Sequence, residues 1–287
     1  MPDHLFSYGH GYSAQALAAL LLPLNWDITG TTRRLDKALT LRKTGMTCRV
    51  LPDETIHDDL LKATHFLTSA APTDAGDPFL AQHLESLKDA AKNLKWVGYL
   101  STTGVYGNHD GDWVDETTPL TPATKRGKAR VEAEAHWIAV AKDLGLNLKI
   151  FRLAGIYGPG RGPFAKVRNG TARRIIKQNQ IFSRTHVEDI AQVLLASIHR
   201  PDSSQIFNVC DDMPAPPEDV IGHAAELLGL PIPATEDFET AQMTPMARSF
   251  YAESKKVRND RIKDALGVSL IYPDYHSGLK ALLAAES

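Results

Sequence analysis

The sequence predicts an α/β fold in which a doubly wound parallel sheet is followed by a smaller C-terminal lobe. First, a glycine-rich turn separates a short apolar segment from a helix-forming run near the N-terminus. Second, strand-like and helix-like segments alternate as far as Leu153, as the crossovers of a parallel sheet require. Third, a glycine- and proline-rich loop starts at about Gly155, and a basic stretch through Lys177 follows it. We therefore assign residues 1–155 to the sheet domain and 156–287 mainly to the lobe, with segments returning to the main sheet.

Apolar spacing predicts the individual elements in order. The strands of the first domain are Leu5–Tyr8, Trp26–Thr31, Cys48–Leu51, His65–Ala70, Trp96–Ser101 and Leu148–Leu153. The helices between them are Gln15–Leu22, Leu35–Thr44, Pro78–Asn93 and Glu132–Leu144. In the lobe, a loop and a basic stretch through Lys177 precede the helix Val187–His199, the strand Ile206–Val209 and the helix Pro216–Leu228. The remainder is predicted to be mostly helical.

Composition excludes several classes of protein. The 287 residues carry a net charge of −2, which gives no electrostatic case for nucleic acid. The longest apolar run contains Pro23 and is too short to span a membrane, and the N-terminus lacks the pattern of a signal peptide. Cys48 and Cys210 form no disulfide framework or metal spacing and are predicted core residues. We expect a cytoplasmic protein with no metal and with neither nucleic acid nor membrane as a partner.

The glycine-rich turn predicts a dinucleotide site at the start of the chain. Its residues are Gly9, His10, Gly11, Tyr12, Ser13 and Ala14. Gly9 would permit the tight turn, Gly11 would let the backbone approach a pyrophosphate, and Ala14 allows close helix–strand packing. The following helix presents free N–H groups and a partial positive charge. Such a turn also occurs without a ligand, but its strand–turn–helix context favours a cofactor. Ser69 and Ala70, at the end of a later strand, belong to the same predicted site.

The residues after the second strand favour NADP over NAD. An NAD site places a carboxylate about twenty residues beyond the glycine turn, whereas this chain has Thr31, Arg33 and Arg34 and no acid before Asp36. A guanidinium there can bind a 2′-phosphate through charge-assisted hydrogen bonds. The alternative is a solvated basic pair at the start of a helix.

Five further segments stand in an order typical of one family. They are 99–107 (YLSTTGVYG), 115–122 (DETTPLTP), 151–160 (FRLAGIYGPG), 185–191 (THVEDIA) and 207–209 (FNV). Together they resemble the extended short-chain dehydrogenases/reductases, the NAD-dependent epimerase/dehydratase group, over about residues 4–210. The resemblance implies a Rossmann-type sheet, a nicotinamide cofactor and a catalytic Ser/Thr, Tyr and Lys.

The chain departs from this family at the catalytic tyrosine. Thr102 falls on the Ser/Thr position, but no tyrosine occurs between Tyr106 and Tyr157. The best register places Arg126 on the tyrosine and Arg130 on the lysine, a pattern similar to the atypical, YeeZ-like subgroup. An arginine cannot release its proton in a protein, so Arg126 is expected to polarise an oxygen. The alternative is a solvated basic helix face pairing with Glu132 and Glu134.

Other groups are candidates for the missing proton donor and for substrate contacts. Tyr106 and Tyr157 stand near the expected nicotinamide, although such tyrosines also pack structurally, and His109 lies in a polar turn. His186 is interpreted as either structural or substrate-facing. The basic stretch after residue 160 lies where relatives bind the distal part of nucleotide sugars, which makes Arg161 and Arg184 predicted contacts to an anionic substrate; a plain surface loop is the alternative. Residues 243–251 are either core or a segment closing over the cleft.

Two functions remain open on the sequence. The first is an NAD(P)-dependent oxidoreductase or epimerase for a polar, anionic carbonyl or hydroxyl compound, with Thr102 holding the reacting oxygen. The second is a non-catalytic NADP-binding sensor with a degenerate active site. Thr103 and Gly104 stand where the dehydratases of the family carry an Asp-Glu pair, which disfavours β-elimination. By analogy with relatives, a homodimer would form through the helices Pro78–Asn93 and Glu132–Leu144.

Overall fold

The computed structural model describes residues 2–52 and 54–286, except for the side chain of Met246, and its centre is a seven-stranded parallel sheet. The strands of the whole chain are β1 (His4–Tyr8), β2 (Asp27–Thr32), β3 (Thr47–Val50), β4 (His65–Thr68), β5 (Trp96–Thr102), β6 (Trp113–Val114), β7 (Leu148–Leu153), β8 (Gly155–Tyr157), β9 (Arg174–Ile176), β10 (Arg184–His186), β11 (Ile206–Val209), β12 (Thr235–Asp237) and β13 (Lys256–Val257). The sheet order is β11-β7-β5-β4-β1-β2-β3. The strand order reverses at β1, so the crevice for a ligand lies beyond the carboxyl end of that strand.

The helices divide between the two faces of the sheet and the lobe. They are α1 (Tyr12–Leu21), α2 (Leu35–Arg42), α3 (His57–Lys62), α4 (Pro78–Ala90), α5 (Lys125–Leu144), α6 (Phe164–Arg168), α7 (Val187–Ile198), α8 (Pro217–Leu227), α9 (Pro245–Phe250), α10 (Asp260–Leu266) and α11 (Tyr275–Ala285). Short 3-10 turns follow α1, α4 and β5. The predicted α/β fold with a doubly wound parallel sheet is confirmed.

Each face of the sheet has its own apolar core. One core joins α1, α2, α7 and α10 to the sheet and contains Leu17, Ile190 and Phe207. The other joins α3, α4 and α5 to the opposite face and contains Phe79 and Trp137. Strands covered on both sides read as continuous apolar runs rather than as alternating patterns, which is why β1, β4 and β5 were recognisable in the sequence.

The lobe is built from the helices α6, α8 and α11 around a third apolar cluster, with Phe164, Ala224 and Leu279 at its centre. Three two-stranded parallel pairs accompany it: β8 with β10 and β9 with β12 form within the C-terminal segment, and β6 with β13 joins that segment to the part of the chain after β5. β11 returns to the edge of the main sheet beside β7. The basic stretch predicted to follow the loop at 155–163 contains the short helix α6 and the strand β9.

The largest difference from the predicted elements concerns α5. The helix starts at Lys125, seven residues before the predicted Glu132, and the side chain of Thr124 caps it by accepting a hydrogen bond of 3.0 Å from the Gly127 amide. The first two turns of α5 are mostly charged and have no apolar periodicity. The capping residue Thr124 is therefore the only signal in the sequence that indicates where the helix starts. As a result, Arg126 and Arg130 lie on a helix, one turn apart.

Two smaller expectations concern the cysteines and the membrane. Cys48 and Cys210 are free and buried, as predicted for core residues. No helix in the described part of the chain combines the length and the apolar character needed to cross a lipid bilayer.

Candidate active site

A cavity of about 900 Å³ opens at the carboxyl ends of the central strands, between the sheet and the lobe. Its lining includes Gly9, Gly11, Tyr12, Ser13 and Ser69 on one side and Thr102, Thr103, Gly104, Arg126 and Arg130 beside them. The lobe contributes Tyr157, Arg161, Phe182, Arg184, Phe250, Glu253 and Lys255. Crevices at this edge of a doubly wound sheet are where such folds bind ligands.

The glycine turn is held open by its neighbours. The Gly9 amide donates to Thr31 Oγ1 at 2.8 Å, and Ser69 Oγ donates to the Gly9 carbonyl oxygen. Gly9 has a φ of +73°, and a Cβ there would lie 3.2 Å from the Ala70 amide nitrogen, so the position requires glycine. Thr31 therefore fixes the turn by a hydrogen bond, and Ala70 packs against Gly9.

Gly11 begins helix α1 without any capping side chain among the described residues. Its φ is −92°, and a Cβ would meet nothing of the protein closer than the Gly9 carbonyl oxygen at 3.5 Å. The absent side chain thus leaves room on the cavity side, where the uncapped helix start presents N–H groups to an anion. These residues fit the pyrophosphate of a dinucleotide.

The other predicted cofactor residues lie outside the cavity lining. Ala14 is fully buried against the sheet. Arg34 is exposed and pairs with Asp36, while Arg33 is exposed with no ion pair among the described residues. Lys37, which was not predicted, donates to the His10 carbonyl oxygen at 2.6 Å. Two basic side chains, Arg33 and Lys37, thus flank the end of β2.

His10 lies beneath the turn and is almost fully buried. Neither ring nitrogen has a hydrogen-bond partner in the described structure, and the ring packs so tightly on Gly30 that a Cβ there would lie 2.8 Å from it. Burial, together with the charge of Lys37, lowers the pKa of His10 to about 4. The imidazole is therefore neutral in the fold, and His10 is absent from the cavity lining.

This burial predicts a pH-dependent stability. Between pH 6.5 and 4 the unfolded chain binds a proton at His10 that the native state does not, so acidification across that window should cost up to ~3 kcal/mol of unfolding free energy. His10→Leu should remove that part of the acid sensitivity, measured by urea unfolding at pH 7 and pH 4.5. His57→Leu, at an exposed position, is the control and should lose as much unfolding free energy between the two pH values as the wild type. If His10→Leu loses just as much, the burial of a neutral His10 is not a source of the acid sensitivity.

The side of the cavity beside the end of β5 contains Thr102, Arg126 and Arg130. Thr102 ends β5, and its Oγ1 accepts from the Gly104 amide at 3.1 Å. Arg130 Nη1 donates to Tyr99 Oη at 2.9 Å and to the Leu100 carbonyl oxygen at 2.8 Å, which ties α5 to the sheet. Arg126 is exposed, and its guanidinium lies 5.1 Å from the ring centroid of Phe250.

The alternative interpretation was a solvated helix face on which the basic residues of α5 pair with Glu132 and Glu134. It does not hold for Glu134. That carboxylate is buried and binds Arg152, a residue of β7, with Nη2 and Oε2 2.7 Å apart. Arg130 is committed to the sheet, as described above. Both guanidinium groups line the cavity, and Arg126 is the more exposed of the two.

Tyr106 and His186 do not reach the cavity, which corrects their assignment as catalytic and substrate-binding residues. Tyr106 is fully buried; its hydroxyl donates to Asn208 Oδ1 at 2.7 Å and accepts from Arg152 at 3.0 Å. Burial raises the pKa of Tyr106 to about 12. His186 is buried and caps α7, its Nδ1 accepting from the Glu188 amide at 3.3 Å.

The remaining substrate candidates border the cavity in different ways. Arg161 is exposed, and its guanidinium lies 5.7 Å from the ring centroid of Tyr12. Arg184 Nη1 donates to two backbone oxygens, those of Phe182 and Ala215, both at 2.9 Å. Burial lowers the pKa of Arg184 from its ordinary value. Tyr157 borders the cavity, but its hydroxyl donates to the Asp274 carbonyl oxygen at 3.4 Å.

Most other residues of the basic stretch lie at the protein surface. Arg168 pairs with Glu286 and Arg173 with Glu236, so these charges are neutralised within the lobe. His109 is absent from the cavity lining; its Nε2 lies 3.1 Å from the Tyr106 carbonyl oxygen. The surface-loop interpretation therefore fits the distal part of this stretch, and the cavity keeps Arg161 and Arg184.

Several lining residues carry no recognisable signal in the sequence. They are Ile181, Phe182, Ser183, Glu253 and Lys255. Phe250 lies within the segment considered as a lid, and it is more than half exposed above the cavity. Glu253 and Lys255 form a buried ion pair, with Lys255 Nζ and Glu253 Oε2 2.8 Å apart. Neither belongs to a motif, because the fold alone brings them from the lobe to the end of β5.

The turn, the uncapped helix start and the cavity define a dinucleotide-binding protein of the doubly wound α/β class. The chain belongs to the NAD dependent epimerase/dehydratase family, whose model matches residues 9–210. The family resemblance found in the sequence is thereby confirmed.

Its relatives agree with this assignment. Protein YeeZ of Escherichia coli strain K12 is 29% identical over 279 residues, 93% of this chain and 95% of its own. The structure of a functionally unknown conserved protein from Silicibacter pomeroyi DSS is 55% identical and covers 99% of both chains with a TM-score of 0.93. Human epimerase family protein SDR39U1, solved with NADPH, is 17% identical, with a TM-score of 0.74 over 98% of this chain and 99% of its own.

Proposed function

We propose that this protein is an NADP-dependent oxidoreductase or epimerase acting on a polar, anionic carbonyl or hydroxyl compound. The observation that carries the proposal is a single continuous cavity. It runs from the glycine turn at Gly11, past Thr102, to the guanidinium of Arg184 in the lobe. A dinucleotide and a second small molecule would therefore meet within one site.

The side chains around Thr102 suit carbonyl chemistry. A bound nicotinamide supplies or accepts a hydride. Thr102 presents a hydroxyl to the cavity, which can hydrogen-bond the reacting oxygen, and Arg126 can stabilise negative charge that develops on it. Neither group is an acid of suitable strength, since an arginine does not release its proton in a protein.

The charge of the cavity supports an anionic substrate. Arg126, Arg161 and Arg184 all border it, and none forms an ion pair with a carboxylate among residues 2–52 and 54–286. Guanidinium groups suit carboxylate and phosphate through paired N–H donors. The backbone bonds of Arg184 fix the position of its charge, and the exposed Arg161 lies nearer the mouth.

Preference for NADP rests on Arg33 in our proposal. Arg33→Ala should weaken NADPH binding by roughly 10–100-fold, the loss expected for charge-assisted hydrogen bonds to a phosphate, and should leave NADH binding unchanged. Calorimetric titration of both cofactors measures the two affinities. Lys43→Ala, which removes an exposed charge just beyond α2, is the matched control. Equal losses for NADPH and NADH, or tighter NADH binding by the wild type, would overturn the preference.

The reaction itself is tested with a carbonyl panel. The purified protein and NADPH are incubated with aldehydes and ketones that do or do not carry a carboxylate or phosphate, among them 2-carboxybenzaldehyde. We expect NADPH oxidation with anionic members and much less with neutral ones. Tight NADPH binding without turnover of any member would favour the second candidate, a non-catalytic NADP-binding sensor. The observation that favours the sensor is that Arg126 occupies the position at which relatives have their catalytic tyrosine.

A further inference from the structure

A buried lysine closes the cavity beside the turn that follows β5. The Lys255 side chain is 10% exposed, and its Nζ donates to the Gly107 carbonyl oxygen at 2.7 Å and to Glu253 Oε2 at 2.8 Å. An ammonium has three N–H donors, and the third has no partner in the described part of the chain. Lys255 and Thr102 line the same cavity, so one donor remains for a molecule bound there.

Glu253 also has unused hydrogen-bonding capacity. Its side chain is 12% exposed, and its Oε1 is buried without a hydrogen-bond partner in the described structure. A buried carboxylate oxygen without a partner is costly and calls for an explanation in function. The backbone fixes the pair, because the Ser254 amide between the two residues donates to Asn108 Oδ1 at 2.8 Å.

The two tyrosine hydroxyls of the cavity lining are committed elsewhere. Tyr12 Oη donates to the Pro159 carbonyl oxygen at 2.9 Å. Tyr157 Oη is turned into α11, where it would lie 2.0 Å from a Cβ at Gly278. The arginines cannot release a proton. Lys255 is therefore the group in the described cavity lining that combines a titratable proton with a free donor position.

We propose that Lys255, held by Glu253, is the proton donor of this cavity in place of the tyrosine found in relatives; this rests on the proposed reductase function. The carbonyl carbon gains the hydride of the reduced cofactor, and the π electrons of the C=O bond move to the oxygen. That oxygen takes a proton from the Lys255 ammonium and becomes a hydroxyl. The carbonyl compound is reduced by two electrons and the cofactor is oxidised. The neutral amine of Lys255 then regains a proton from water, and Glu253 keeps the Lys255 side chain in position.

Kinetics of substituted proteins test the proposal. Lys255→Arg keeps the positive charge and the donors but releases no proton, so it should bind NADPH within twofold of wild type and reduce 2-carboxybenzaldehyde at least ~100-fold more slowly. The wild-type rate should fall at high pH, and this decline should be absent in Lys255→Arg. Lys256→Arg, the same change one residue further on, should behave as wild type.

A labelling experiment supplies a readout that does not depend on turnover. Pyridoxal 5′-phosphate forms a Schiff base with an accessible amine, borohydride reduces it, and peptide mass spectrometry identifies the lysine. We expect labelling of Lys255 that NADPH suppresses, and labelling of Lys256 that NADPH leaves unchanged. Lys255→Gln supplies a second variant should arginine not fit the buried position; it should equally lose the rate and the label.

The outcomes separate the two proposals. If the wild type reduces a carbonyl compound and both Lys255 variants keep its rate and pH profile, Lys255 is not the donor and the reductase function stands. Labelling of Lys255 that NADPH does not affect overturns the placement of the amine at the cofactor cavity. If NADPH binds but no carbonyl compound of the panel is reduced, the reductase function fails, and the role of Lys255 fails with it.

Discussion

Replacing Glu134 with alanine is expected to lower the free energy of unfolding by about 3–5 kcal/mol, because it leaves a buried guanidinium without its counter-charge. Glu134 and Arg152 are 2% and 4% exposed, and Nη2 and Oε2 lie 2.7 Å apart. Ser101 Oγ also donates to Glu134 Oε1 at 2.5 Å. In the variant, Arg152 retains only its 3.0 Å hydrogen bond to Tyr106 Oη among these partners.

Urea unfolding followed by circular dichroism measures this loss. The matched control is Glu85→Ala, which breaks an exposed pair in which Lys88 Nζ and Glu85 Oε1 are 2.7 Å apart. An exposed pair contributes at most ~1 kcal/mol, so the two substitutions should differ severalfold although both remove a carboxylate from a helix. Equal effects would mean that water reaches Arg152 in the native state, against its burial here.

Gly11→Ala is expected to weaken NADPH binding by about 100-fold, or ~2.7 kcal/mol, while the fold remains stable. The residue has an ordinary φ of −92°, and its Cβ would meet the protein at no less than 3.5 Å. The added methyl group instead occupies the space that the backbone needs to approach a pyrophosphate. The loss of stability should stay below ~1 kcal/mol, the usual cost of alanine in place of glycine at a helix N-cap.

Gly162→Ala is the control for this prediction. It makes the same substitution at a site that is absent from the cavity lining, where a Cβ would meet only Leu282 at 4.0 Å. Calorimetry should show wild-type affinity for this variant, and thermal unfolding should show similar midpoints for both. Undiminished NADPH affinity in Gly11→Ala would place the pyrophosphate elsewhere in the cavity.

The sheet could be predicted from the sequence because its determinants are local. Strands buried on both faces are continuous apolar runs, and the turn at Gly9 and Gly11 lies between one of them and a helix. The start of α5 could not be predicted from apolar spacing, since its first turns are charged and only Thr124 marks the cap. α3 is six residues long, too short to show a period.

Residues of the cavity lining could be named from the sequence where a motif contains them. The glycine turn follows from its place between a strand and a helix, and Thr102 from the resemblance to the family. Tyr106 looked available because its partners, Arg152 and Asn208, are 46 and 102 residues away along the chain. The same reason hides Lys255, whose contact with Gly107 spans 148 residues. Burial and partners at such separations are properties of the packed fold and not of any motif.

The arginine in place of tyrosine on α5 changes how the cavity responds to its surroundings. Because guanidinium groups stay charged throughout the accessible pH range, Arg126, Arg161 and Arg184 give the cavity a positive potential that acid or base does not switch off. The attraction that these three arginines exert on a bound anion would therefore be nearly the same in alkaline and in neutral solution. Arg126 on α5, together with Arg161 and Arg184 in the lobe, thus provides a constant positive charge, whereas the proton would come from a separate group, Lys255 in our proposal.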